Sequence, residues 1–148
     1  MIPTVKVQFL RDGAVLPCYG SACAAGADLV ACTDTPSVEI QSGETQFIPT
    51  GIAVQIPAGY VGLVYARSGI ACKRGLAPAN KVGVIDSDYR GEILVALHNH
   101  SSETQRIERG ERIAQLVIAP YLTVQFAQAE TLDETARGAG GFGSTGSK

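Results

Sequence analysis

Apolar and polar residues alternate along most of this chain with a period of two. Val5, Val7 and Phe9 are separated by Lys6 and Gln8, and Ile52, Val54 and Ile56 repeat the spacing before Pro57-Ala58-Gly59. Side chains alternating in this way line the two faces of a β-strand, one toward the core and one toward water. The same pattern predicts strands over 61–66, 82–85, 92–99, 112–119 and 123–128. Ser42-Gly43, Pro49-Thr50-Gly51 and Arg109-Gly110 read as turns between them. Short strands with turn formers arriving roughly every ten residues favour an all-β sandwich, jelly roll or barrel. One stretch departs from the pattern. Residues 68–74, closed by Gly75, read as a short helix with Ser68 at its N-cap and glycine as its stop. From Asp133 onward the chain is too poor in large apolar residues to join a core. The expected organisation is therefore one β-domain, 1–132, followed by a C-terminal tail, 133–148.

Composition narrows the function. The chain has 148 residues, 45% of them hydrophobic and 18% charged, with a net charge of −2. That balance describes a globular domain without the basic face that stable nucleic-acid or membrane-surface binding requires. An anionic ligand would have to be met by individually placed arginines. No apolar run approaches the ~20 residues that span a bilayer, and the N-terminus lacks the apolar core of a signal peptide. The cysteines, at 18, 23, 32 and 72, form no C-x-x-C pair. The expectation is reduced, mostly buried thiols in a cytoplasmic protein rather than disulfides or a zinc site.

Several segments could carry chemistry. In Gly83-Val84-Ile85-Asp86-Ser87-Asp88-Tyr89-Arg90-Gly91-Glu92, two aspartates one residue apart suggest a calcium loop. The fit fails, because Arg90 stands at the fifth loop position and Leu97 at the twelfth, where a bidentate glutamate is needed. What remains is a hairpin turn that carries a carboxylate beside a tyrosine and an arginine, the makings of a positioned base, a stacking surface and a counter-ion. At Ala66-Arg67-Ser68-Gly69 a strand gives way to the short helix, whose first amides and an adjacent arginine suit an anion. Gln115 interrupts an apolar strand, either as a core amide bonded to backbone or as a ligand contact. Asp28 opens another strand, and His98 and His100 share one strand face. In 137–146, five of ten residues are glycine. Gly138 and Gly143 have phosphate-loop spacing, but Ser144 occupies the lysine position of that loop.

Taken in order, AGADL, ARSGIA, GVIDSDYRGEI, GERIAQLVI and RGAGGFGSTG resemble the five motifs of the homotrimeric dUTPases, from residue 25 to residue 146. One position departs: Ala66 stands where the second motif usually has proline. The resemblance implies a jelly-roll-like distorted β-barrel of the β-clip type, with one short helix and a flexible glycine-rich C-terminal lid. It implies a homotrimer with active sites shared between subunits, Mg²⁺ as cofactor, and hydrolysis of dUTP to dUMP and pyrophosphate. By similarity, Asp86 activates the water that attacks the α-phosphorus, and Tyr89 packs under the deoxyribose and excludes a 2′-hydroxyl. Asn80 and the backbone of Gly83, Val84 and Ile85, backed by Leu94, read the uracil edge. Arg67, Ser68, Gly69 and Gln115 hold phosphates, and Asp28 holds metal-bound water. Arg137, Phe142, Ser144 and Thr145 close over the nucleotide. Ordering about ten such residues costs on the order of 10 kcal/mol in backbone entropy, so only a full set of ligand contacts would hold the lid down.

Two rivals share parts of this pattern. A dCTP deaminase of the same broad fold carries a second serine where this chain has Gly69. A trimeric nucleotide-binding or regulatory protein would have dispensed with catalysis. The sequence is silent on any regulatory protein partner.

Overall fold

The computed structural model describes residues 2–141. Its elements in chain order are β1 (Lys6–Phe9), β2 (Cys18–Tyr19), β3 (Ala27–Val30), β4 (Ser37–Ile40), β5 (Thr45–Gln55), β6 (Tyr60–Tyr65), α1 (Ser68–Arg74), β7 (Leu76–Pro78), β8 (Gly83–Ile85), β9 (Glu92–Asn99), β10 (Gln105–Glu108) and β11 (Arg112–Pro120). The strands form a four-stranded sheet in the order β1-β5-β9-β7, a five-stranded sheet in the order β2-β3-β11-β6-β8, and the small β10-β4 pair. Every pairing is antiparallel. The fold is all-β and of jelly-roll type, and its sheets do not close into a continuous barrel.

The period-two pattern explains the core. In β9, Ile93, Val95, Leu97 and Asn99 are buried, while the alternate residues Leu94, Ala96 and His98 are more exposed. Ile48, Val95 and Leu97 from the four-stranded sheet join Leu29, Val64 and Leu116 from the five-stranded sheet in one hydrophobic cluster. Asn99 is one of three buried polar residues, with Thr33 and Thr50. Its amide donates to the carbonyls of Ile40 at 2.9 Å and Glu103 at 2.7 Å, and its oxygen accepts from Ser101 N–H at 2.9 Å. A buried amide satisfied on both ends costs little and ties β9 to the turn that follows it.

Several expectations need correction. Pro49-Thr50-Gly51 is not a turn: β5 runs through it as one strand of 11 residues, and its register against β9 shifts between Pro49 and Ala53. The segment is a β-bulge, with Gly51 at φ 71° supplying the left-handed residue that the kink requires. The helix cap is Arg67, extended at φ −89° and ψ 130°, so Ser68 is the first helical residue. Gly75 at φ 67° does stop the helix. All four cysteines are free, but only Cys32 is buried.

The predicted strand over 123–128 does not form. Beyond Pro120 no described residue belongs to a strand, and Leu122, Phe126 and Leu132 are 89%, 93% and 88% exposed. A strand needs a hydrogen-bonding neighbour, and no strand of the chain pairs with this segment.

Candidate active site

Asp86 and Tyr89 sit on the connection between β8 and β9. It turns as the sequence suggests, with Tyr89 N–H donating to the Asp86 carbonyl at 3.1 Å. The flanking strands, however, do not form a hairpin. β8 pairs with β6 in one sheet, and β9 pairs with β5 and β7 in the other. The connection therefore arches between sheets, and the divergence of its two legs opens a cleft of about 330 Å³. Asn80, Gly83, Val84, Ile85, Asp86, Tyr89 and Leu94 all line it, joined by Phe47 and Glu92. This brings together every residue that the sequence placed around the base and sugar.

Glycines and backbone bonds shape this cleft. A Cβ on Gly83 would come within 3.2 Å of Val64 Cβ and 3.3 Å of Asn80 Nδ2, so the bare backbone is what lets the Asn80 amide lie over the strand. Asn80 is presented by a tight loop in which Ala79 N–H donates to Ala96 O at 2.7 Å and Lys81 takes φ 64°. The Tyr89 ring folds back over Gly91, where any Cβ would run into its hydroxyl end, and the hydroxyl donates to the Glu92 carbonyl at 3.0 Å. Asp86 is exposed to solvent at the cleft wall. Arg90 straps the turn: its Nη1 donates to the carbonyls of Ser87 and Tyr89, both at 2.7 Å.

The residues expected to hold phosphate form a second cleft, of about 390 Å³, lined by Asp28, Arg67, Ser68, Gly69, Arg112 and Gln115 together with Gly20, Ala24 and Gly26. Strand register assembles it. Gln115 of β11 stands opposite Asp28 of β3 on one side and Tyr65 of β6 on the other, so residues far apart in sequence meet at one level of the sheet. The Gln115 amide donates to the Ala66 carbonyl at 2.8 Å, fixing the chain just before Arg67. The Asp28 carboxylate accepts from Arg67 Nε at 2.7 Å and from Arg112 Nη1 at 3.2 Å. The first intrahelical bond of α1 is Ala71 N–H to Arg67 O, so the amides of Ser68, Gly69 and Ile70 are left over by the helix.

The two clefts share no lining residue. Asp86 lines the first cleft, whereas Ser68 and Gln115 line the second. Arg137 lines neither cleft and donates to the Gly140 carbonyl at 2.9 Å in a local turn. Phe142, Ser144 and Thr145 lie outside the described residues.

Sequence reasoning overlooked Glu92, Phe47, Arg112 and Gly26. Arg112 and Gly26 sat inside quoted segments, but their roles depend on cross-strand partners. Phe47 is an exposed aromatic on β5 with no local signal beyond strand alternation. Among the described residues no group of three or more His, Cys, Asp or Glu side chains could hold a metal ion, and no helix is long and apolar enough to cross a membrane.

The sequence profile of the dUTPase family matches residues 12–146. A relative from Desulfitobacterium hafniense, a deoxyuridine 5′-triphosphate nucleotidohydrolase, is 52% identical over 145 residues, covering 96% of this chain and 95% of its own. The fold superposes on the dUTPase of Staphylococcus bacteriophage 80alpha, solved with dUPNHPP, with a TM-score of 0.88 at 32% identity, covering 97% of this chain and 98% of the phage chain. It also superposes on a mutant dUTPase from phage phi11 of S. aureus, described for its coordination of a structural Mg(II) ion, with a TM-score of 0.76 at 28% identity over 86% of this chain and 97% of that one.

Proposed function

The chain belongs to the dUTPase family, and from that premise we propose that it hydrolyses dUTP to dUMP and pyrophosphate in sites built from several copies of itself. The observation that carries the assembly is the separation of the two clefts. Within one chain the residues assigned here to the nucleoside line one cleft and those assigned to the phosphates line another, with no residue in common. A homotrimer, in which each site takes one half from each of two neighbours, resolves this. The unpaired segment after Pro120 supports the same reading, because its exposed Leu122, Val124 and Phe126 call for a surface that a second copy would provide. The β-domain then extends to residue 132 by completing a neighbour, and 133–148 act as a lid.

In this reading the uracil edge meets the backbone of Gly83, Val84 and Ile85 and the Asn80 amide, with Leu94 behind. Backbone donors and acceptors reject cytosine, whose amino group replaces an acceptor, and the narrow wall rejects the methyl of thymine. Tyr89 lies under the deoxyribose. Asp86 takes a proton from a water molecule as its oxygen attacks the α-phosphorus, and the bond to the bridging oxygen breaks to release pyrophosphate. Arg67, the Ser68 hydroxyl, the Gly69 amide and Gln115 hold the phosphate oxygens, and Arg137, Phe142, Ser144 and Thr145 close the site.

The donors present fit magnesium only in a limited way. Both Asp28 oxygens already accept from arginines, so this carboxylate is suited to a metal-bound water and not to direct coordination. Mg²⁺ keeps several waters and binds largely through substrate phosphates, which matches a site with a single carboxylate nearby. When bound, the ion neutralises phosphate charge and orients the chain of oxygens. The four free thiols fit a cytoplasmic location.

A pyrophosphate-release assay across the deoxy- and ribonucleoside triphosphates, with ammonia release followed in parallel, tests the activity. Rapid turnover of dUTP alone is expected. No pyrophosphate from dUTP, or ammonia from dCTP, would overturn the reading.

A further inference from the structure

Arg11 lies just beyond β1 and is remote in sequence from the nucleoside cleft, yet its guanidinium grips Glu92, one of the residues that line that cleft. It donates through Nε to Glu92 Oε1 at 2.9 Å and through Nη2 to Glu92 Oε2 at 3.2 Å, a two-point grip on one carboxylate. The other edge of the guanidinium donates to both oxygens of Asp34, at 3.0 and 3.2 Å. Glu92 has a second tether, because its Oε1 also accepts from Gly51 N–H at 2.9 Å. Gly51 is itself closely packed. It occupies the β5 bulge at φ 71°, its carbonyl accepts from Leu10 N–H at 2.8 Å, and a Cβ there would meet Ala14 and Cys32 at 2.9 Å.

Glu92 is also the residue whose backbone carbonyl accepts the Tyr89 hydroxyl. The ring that floors the cleft is therefore anchored on a peptide group whose own side chain is held from two directions. We propose that Arg11 is a positioning residue for sugar selection: through Glu92 it fixes the height and tilt of Tyr89, and so sets how strictly ribose is refused against deoxyribose. The proposal rests on Tyr89 being the sugar platform. An apolar wall refuses one added hydroxyl only weakly unless it is held rigidly in place, so the supporting contacts decide the selectivity. The stabilising effect of the pair itself is small, since the Arg11 side chain is 33% exposed and water screens such contacts. Its value lies in direction: a bidentate guanidinium–carboxylate contact specifies geometry as well as attraction.

The test uses the full-length chain and its Arg11→Ala, Arg11→Lys, Glu92→Gln and Tyr89→Ala variants. For each, kcat and KM are measured with dUTP and with UTP, alongside the melting temperature and the oligomeric state. Arg11→Ala is expected to lower the ratio of kcat/KM for dUTP over UTP roughly tenfold, chiefly through a lower KM for UTP. Arg11→Lys should recover part of the ratio, because it keeps the charge and loses the second donor. Glu92→Gln keeps an acceptor for Gly51 and should fall between wild type and Arg11→Ala. A parallel fall of both substrates together with a lower melting temperature would make Arg11 merely structural and overturn the proposal. An unchanged ratio in Arg11→Ala, with Tyr89→Ala losing selectivity, would overturn it while sparing the Tyr89 reading. An unchanged ratio in Tyr89→Ala would remove the platform and the proposal with it. Failure of the wild-type protein to hydrolyse dUTP is a separate outcome, which overturns the assigned activity itself.

Discussion

Gly26 and Gln115 are packed so closely that the α-carbon of one has room for hydrogen only: a Cβ at Gly26 would fall on the Gln115 side-chain oxygen and come within 3.1 Å of its Cβ. The same Gln115 holds the Ala66 carbonyl and lines the cleft shared with Arg67, Ser68 and Gly69. Gly26→Ala should therefore swing the amide away and loosen the strand end that presents Arg67. The expected loss in kcat/KM for dUTP is roughly 10–100-fold, with only a small change in melting temperature. Steady-state kinetics beside a thermal melt measure both. Full activity in this variant would remove Gln115 from phosphate binding.

Asp86→Asn keeps the size of the side chain and its place in the turn but removes the proton acceptor. Turnover should drop by about 10²–10⁴-fold while dUTP still binds. Single-turnover kinetics and calorimetry with a non-hydrolysable analogue separate the two effects. Near-normal hydrolysis would assign the base elsewhere.

Gly91→Ala places a methyl group against the Tyr89 hydroxyl end and breaks its bond to the Glu92 carbonyl. The ring must lift or swing out. UTP should become a measurable substrate, and dUTP should bind more weakly because the same floor is displaced. Competition between the two nucleotides reads the change directly.

Deleting 137–148 should leave the β-sheets intact, since among the described residues the last strand ends at Pro120. Hydrolysis should fall on the order of 10²-fold through loss of the closing arginine and its companions. A truncated protein with full activity would dismiss the lid.

His100 stacks edge-on against His98 at a centroid distance of 4.4 Å. Partial desolvation, with the nearby His98 and Lys81, holds its pKa below the ordinary value of 6.5. The sign follows from linkage. As pH falls through 6.5 the unfolded chain takes up this proton before the folded one does, so stability is lost in that window. His100→Asn should flatten the dependence of the melting temperature on pH between neutral and mildly acidic conditions. An unchanged pH profile would show that this ring does not contribute.

Local patterning by itself determined much of this protein. Alternation of period two marks a strand wherever a chain is half-buried, so the all-β class and the strands over 92–99 and 112–119 were legible without coordinates, whereas the inward face of the uniformly apolar run 93–97 was not. Gly75 announced the helix stop because left-handed backbone is a local property of a residue without Cβ. The ordered motifs named Asp86, Tyr89, Arg67, Ser68, Gly69 and Gln115 among the residues lining the two clefts, since each motif is a short run of chemistry.

Pairing and register belong to the tertiary structure. Pro49-Thr50-Gly51 has the composition of a turn, and becomes a bulge because β9 offers ladder partners on both sides of it. The legs of the Asp86 turn separate because β6 captures one and β5 and β7 the other, a choice made by neighbours remote in sequence. Arg90 turns inward to carbonyls that exist only once the turn has closed, and Arg11 finds Glu92 across 81 residues. Residues 123–128 carry a strand pattern without a strand, because a ladder requires a second chain segment and no strand of the folded chain pairs with them.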